Sequence, residues 1–217
     1  MTDHSAAMHV AVQVMMGVSL AACAGLRAWL PLFGVGLLGR LGLLVLNPSF
    51  AFLESTPALT IFAVATLLEL VGDKVVAVDH FLDAAGTFIR PVAGAVVVAS
   101  VLSRSDPAVA LAAGIIAGGG TALTVHAGKA VVRAKSTALG VFHGGLGNAL
   151  LSLLEDVVSF LGTALAFLLP ALAFILALGM VLFSVLLVFL FWKAGKKLWR
   201  VIFGPASASA PGDAGAS

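Results

Sequence analysis

The chain has 217 residues, of which 61% are hydrophobic and only 10% charged, and its mean hydropathy is +1.14. Soluble domains carry about 25% charged residues, so this composition excludes an ordinary soluble domain and predicts an all-α, polytopic helical membrane protein. The net charge of +2 comes from a short C-terminal cluster rather than a broad basic face, which leaves nucleic-acid binding without support.

In chain order, the first uncharged window is His9–Gly25. It contains Leu20-Ala21-Ala22-Cys23, the form of a lipoprotein cleavage site, but no Lys or Arg precedes it. A secretory signal opens on positive charge, so the segment is read as a retained first span. Cys23 is the only cysteine; it has no internal disulfide partner, and no Cys/His spacing matches a metal site. Ala28–Leu46 holds Pro31 and four glycines, Gly34, Gly36, Gly39 and Gly42. That pattern predicts a broken or re-entrant segment, which a bilayer tolerates only where the backbone is buried in protein or lines a cavity. Asn47–Pro57 reads as a loop.

Ala58–Leu68 is apolar and runs into the most charged region, Glu69–Arg90; Pro91–Leu102 is apolar again. Ser103-Arg104-Ser105-Asp106-Pro107 is a hydrophilic turn near the chain's midpoint. Beyond it come the apolar Ala108–Val125, a cationic stretch His126–Gly140, a glycine-rich turn at His143–Gly147 and a long apolar run Val157–Trp192. That last run exceeds one span of a core about 30 Å thick, and Pro170 is its natural break. About six or seven membrane segments result. Lys193, Lys196, Lys197 and Arg200 follow, which places the C-terminus in the cytoplasm by the positive-inside rule. The single membrane domain covers 1–204, and the Ala/Ser/Gly/Pro-rich tail, 205–217, is expected to be disordered. The halves 8–102 and 107–192 share a coarse layout of apolar span, glycine-rich stretch, carboxylate segment and proline, the pattern of an inverted repeat.

Charges inside such a chain are costly, about 2.5–3.5 kcal/mol each at a helix centre on insertion scales, and they usually face the bundle interior and pair. Glu69, Asp73, Asp79, Asp83, Glu155 and Asp156 are balanced by Arg27, Lys74, Arg90, Lys129, Arg133 and Lys135. On a continuous helix, Glu69, Asp73, His80, Asp83, Thr87 and Arg90 form one stripe, and His126, Lys129 and Arg133 form another. Asp79, Asp83 and Lys135 are read as solvated. Glu69, Asp73, Glu155 and Asp156, beside long apolar runs, are read as buried.

Glu69-x3-Asp73-Lys74, Asp79, Phe88-Ile89-Arg90-Pro91-x2-Gly94-Ala95, Gly25-Leu26-Arg27-Ala28, His126-x2-Lys129-x3-Arg133-Ala134 and Asn148-x3-Ser152-x2-Glu155-Asp156 occur in that family-like combination. In these motifs, over roughly residues 15–168, the chain resembles an uncharacterised family of small bacterial integral membrane proteins. The resemblance implies a membrane fold with a shared polar site. A Ser-Pro-Glu-Pro-like loop of that family is replaced here by 136–147, and the segment from Pro170 reads as an elaboration. Glu69-Leu70-Val71-Gly72-Asp73-Lys74 is also similar to the Glu-x-Gly-Asp-Lys signature of cation/proton exchangers, with one residue inserted.

The predicted function is that of a small transporter or channel-like protein of the bacterial inner membrane, proton- or cation-coupled. Its ion site combines Glu69, Asp73, Lys74, Asn148, Ser152, Glu155 and Asp156. Arg27, Arg90, Lys129, Arg133 and His126 are counter-charges or anion contacts. The alternatives are a non-catalytic subunit packing on membrane partners through 170–192, and lipid headgroup binding or translocation. Gly34-x-Gly36-x2-Gly39 lacks the strand and βαβ unit of a dinucleotide fingerprint, and no Gly-x-Ser-x-Gly elbow is present. The chain is therefore read as no enzyme, with no metal and no cofactor; the bilayer and a small ion or solute are its expected partners.

Overall fold

The structure, a computed structural model, describes residues 3–73, 76–138 and 146–203. Within these segments, the side chains of 3, 76–80, 135–138, 146–149, 197, 198 and 200–203 are not described. The described residues form eight α-helices and no strand: α1 (Asp3–Leu26), α2 (Trp29–Arg40), α3 (Thr56–Gly72), α4 (Val76–Val101), α5 (Pro107–Ala113), α6 (Gly120–Ala138), α7 (Leu146–Leu168) and α8 (Pro170–Phe203). Five stretches are long and apolar enough to cross a membrane: His4–Leu26, Phe81–Val101, Pro107–Ala134, Leu150–Leu168 and Pro170–Lys196. A sixth is the bent pair of a 3-10 turn, Pro48–Glu54, and α3, which meet at 63°. The chain is a multi-pass helical membrane protein.

Helix boundaries follow local chemistry. Asp106 caps α5 by accepting from the N–H groups of Ala108 and Val109, with Pro107 in the first turn. Ser55 caps α3 in the same way, accepting from Ala58. Pro170 cannot donate to a carbonyl in α7, so α7 ends at Leu168 and α8 begins, the break expected from sequence. The π-helical turn Gly114–Gly119 links α5 to α6, so both belong to one span.

The break expected in 28–46 lies at its very start and not at its glycines, and α2 runs unbroken through Pro31, Gly34, Gly36 and Gly39. α1 stops at Leu26 and α2 starts at Trp29, with Arg27 and Ala28 between them. At 12 residues, α2 is about 18 Å long and too short to cross the bilayer. It turns back beside α1, and at its far end Gly42 takes a positive φ of 71°. The loop expected at 47–57 is instead the 3-10 turn followed by the start of α3.

α1 is the central helix, packed against α4, α6, α7 and α8. Its residues Leu20, Ala21, Ala22 and Ala24 are wholly buried, and the three alanines are small enough for neighbouring backbones to approach closely. The closest approach elsewhere joins α4 to the π-helical turn, where Gly94 and Gly118 face each other. The outward residues of α8, such as Ile175, Leu182 and Phe189, are exposed, as expected of a helix whose solvent is lipid.

At the end opposite the charged cluster, Asn47 ties the α2–α3 connection to α4. Its buried amide donates to the carbonyls of Leu102 and Ser105, both at 3.0 Å, while its oxygen accepts from Ser49 N–H. Asn47→Ala strands two carbonyls and is expected to cost about 1–3 kcal/mol, read as a lower unfolding temperature in detergent. An unchanged midpoint would show that this tie contributes nothing.

Candidate functional site: a buried charge network

The site forms where the ends of α1 and α3 meet the interior faces of α4, α6 and α7. Among the described residues it holds four cations, Arg27, Arg90, Lys129 and Arg133, and five carboxylates, Glu69, Asp73, Asp83, Glu155 and Asp156. Arg27 and Arg90 are, by volume, the largest wholly buried side chains among the described residues.

Arg27, at the helix break, is the hub. Its guanidinium reaches Asp73 Oδ2 and Asp156 Oδ1, both at 2.5 Å. It also donates to Ser152 Oγ and to the carbonyls of Ser152 and Glu69. A rigid fork of five N–H donors suits this divergent set of acceptors in a way that an ammonium does not. Next to it, Ala28 N–H donates to Glu69 Oε1 at 3.3 Å, so a backbone donor at the break is satisfied inside the bundle.

Lys129 and Arg133, one turn apart on α6, close the other side. Lys129 Nζ lies 2.8 Å from Glu155, 3.6 Å from Asp83 and 3.9 Å from Asp73. Arg133 reaches Glu155 at 3.0 Å, Asp83 at 3.1 Å and Asp73 at 3.2 Å. Asp73 Oδ2 is thus shared by Arg27, Lys129 and Arg133. Its Oδ1, and Oε2 of Glu69, have no hydrogen-bond partner among the described residues.

Arg90 forms a second branch, pairing with Glu69 at 3.5 Å and Asp83 at 3.6 Å and donating to His126 Nδ1. An arginine has no acceptor, so Nδ1 accepts and the imidazole proton sits on Nε2, which donates to Thr87 Oγ1 at 3.3 Å. Thr87 in turn donates to the carbonyl of Asp83. Gly86 makes room for this folded arrangement, since a Cβ there would lie 3.0 Å from Arg90 Cζ.

The depth of the network follows from helix geometry. Arg90 lies fourteen residues from the start of α4 and eleven from its end, about 21 and 16 Å at 1.5 Å per residue, well inside the helix. Gly128 packs against Ser184, eight residues before Trp192, whose ring lies 3.4 Å beneath Lys196 Nζ. Lys129, next to Gly128, thus sits about 12 Å along the bundle from Trp192.

The expected members Glu69, Asp73, Ser152, Glu155, Asp156, Arg27, Arg90, Lys129, Arg133 and His126 all come together. Lys74 lies outside the described residues, and so does the side chain of Asn148. Two expectations are corrected. The acidic stripe is not on one helix, because α3 ends at Gly72 and α4 begins at Val76; Glu69 belongs to the first and Asp73 caps its end, while Asp83, Thr87 and Arg90 belong to the second. Asp83 is not merely solvated: its side chain is 29% exposed, yet it contacts Arg90, Lys129 and Arg133. Its seven-residue spacing from Arg90 was the signal, two helical turns on one face. The side chains of Asp79 and Lys135 lie outside the described residues.

A family model described as a domain of unknown function, DUF4126, matches residues 14–191. The match includes every member of the network and runs through the apolar part of α8, so that segment belongs to the family domain and is not an elaboration of it. No curated protein and no solved structure matches the chain.

Proposed function

The chain belongs to this family of unknown function, and we propose, from the site itself, that it is a small proton- or cation-coupled membrane carrier rather than an enzyme. The observation that carries the reading is the sharing of Asp73. One of its oxygens contacts three cations borne by α1 and α6, while the other has no partner among the described residues. A proton or small cation arriving at this carboxylate competes with Arg27, Lys129 and Arg133 for the same charge. Weakening those pairs loosens α1 and α6 from the end of α3, which couples occupancy to helix position.

Networks of this kind are expensive to bury and mark ion pathways by default. The break at Arg27 supports the reading, since carriers place their sites where helices are interrupted near the midplane. The basic cluster after Trp192 orients the C-terminal end of α8, and with it the nearer edge of the network, toward the cytoplasm of a bacterial inner membrane.

The test is flux of protons and common monovalent cations in proteoliposomes. The intact protein is expected to move at least one of them, and Glu69→Gln/Asp73→Asn, kept only if it elutes as a monodisperse particle, is expected to move none. Equal flux by both proteins, or none by the intact one, would overturn the reading.

A further inference from the structure

Two cavities lie along the seam of α7 and α8 and share the walls Val158 and Met180. The larger, about 690 Å³, is an apolar slot against α1, lined by Ser19, Cys23, Leu161, Leu165 and Leu176 among others. The smaller, about 220 Å³, continues toward α6, where Lys129, Glu155 and Ser184 line it beside Leu151, Val132 and Leu187. From Leu151 to Leu168 the α7 wall is about 26 Å long. The seam is therefore a long hydrocarbon slot with an ammonium and a carboxylate in the wall of its smaller chamber.

We propose that this seam binds a phospholipid whose headgroup carries a primary ammonium, one acyl chain filling the slot and the headgroup meeting Lys129 and Glu155. The inference stands apart from the carrier reading, because it requires no ion to move.

Charge complementarity selects the occupant. Lys129 is 6% exposed and has three N–H groups, yet its Nζ makes ion-pair contacts without an aligned hydrogen bond. A phosphate oxygen adds an acceptor for those N–H groups. Glu155, 13% exposed and still held by Arg133 at 3.0 Å, then takes the lipid ammonium in place of Lys129. The headgroup is a neutral zwitterion, so exchanging with the internal pair leaves no net charge in the apolar core. An anionic glycerol headgroup would set a second negative charge beside Glu155. A choline headgroup has no N–H to donate to the carboxylate.

The test is native mass spectrometry of the full chain released from nanodiscs of equal parts phosphatidylethanolamine, phosphatidylcholine and phosphatidylglycerol. The expected result is one retained phosphatidylethanolamine per chain, favoured about tenfold over either competitor, the worth of one charge-assisted hydrogen bond. Ala164→Trp, which fills the slot from α7, and Leu176→Trp, which narrows it from α8, are each expected to lower retention about tenfold, equivalent to roughly two buried methylenes. Leu153→Trp, on the exposed face of α7 outside the seam, is expected to retain lipid unchanged. Retention of no lipid, equal retention of the three, preference for phosphatidylglycerol, or retention indifferent to both slot variants would overturn the proposal.

Discussion

Replacing Arg27 with methionine is expected to produce the largest loss of stability of any single substitution in this protein, about 3–5 kcal/mol. The guanidinium is 1% exposed and neutralises Asp73 and Asp156 together, while holding Ser152 and the carbonyl end of α3. Methionine matches its volume and apolar stem, so the loss reports the charge and not a cavity. Two carboxylates then face a low-dielectric interior without their nearest counter-charge. Arg27→Lys is expected to recover only part, because a point charge cannot reach acceptors on α3 and α7 at once. Adding Asp73→Asn to Arg27→Met is expected to cost less than the two single losses combined, by more than about 1 kcal/mol, as for any pair in one network. Thermal unfolding in detergent, followed by loss of the monodisperse peak, reads the intact protein, the three single variants and the double variant. A shift of less than about 1 kcal/mol for Arg27→Met would mean that the network is not what holds α1, α3 and α7 together.

The second large effect is expected far from any charge, at Gly118. A Cβ added there would fall on the carbonyl of Gly94 in α4, and its neighbours Gly94 carbon and Val98 are nearly as close. No rotamer relieves a clash with backbone, so even Gly118→Ala must push the π-helical turn away from α4. The expected cost is about 1–3 kcal/mol. Because Arg90 lies one helical turn from Gly94, the same displacement is expected to impair flux in addition to stability. Gly120→Ala is the control: a Cβ there meets nothing within 4 Å, and alanine's better helix propensity predicts a gain of up to about 1 kcal/mol. If both glycines respond alike, the close approach of α4 to the turn has no energetic weight.

Much of the site was legible in the sequence because ions in an apolar chain leave few alternatives to pairing. Arg27, Arg90, Lys129 and Arg133 lie beside long uncharged runs, and water cannot satisfy them there, so Glu69, Asp73, Glu155 and Asp156 had to be their partners. Pro170 was equally plain, since a proline without its N–H ends a helix wherever the run is too long to be one span. Asp83 was harder. It sits among Asp79, His80 and Thr87, and a polar helical face looks the same whether it meets water or three cations from neighbouring helices.

The break between α3 and α4 was hidden for a related reason. Gly72-Asp73 is a reasonable place for a helix to stop, but the polar periodicity runs through it without a phase change, so Glu69 to Arg90 reads as one stripe. The described part of the break is the turn at Asp73, which carries that residue's side chain into contact with Arg27, Lys129 and Arg133. The Gly94–Gly118 contact was illegible in another sense. Twenty-four glycines offer many close approaches, and which pair meets depends on how helices far apart in sequence cross.

The wide sequence separation of Arg27 from its partners also bears on how the protein is made. Ser152, the hydrogen-bond partner of Arg27 on α7, is 125 residues further along the chain, and Asp156 follows it on the same helix. At 5–20 residues per second, a ribosome takes about 6–25 s to cover that distance. Asp73 lies only 46 residues after Arg27, so the first counter-charge of the arginine comes with the end of α3 and the second, Asp156, only with α7. A bundle assembled in chain order is therefore expected to fix the end of α1 against α3 first and to close on α7 last.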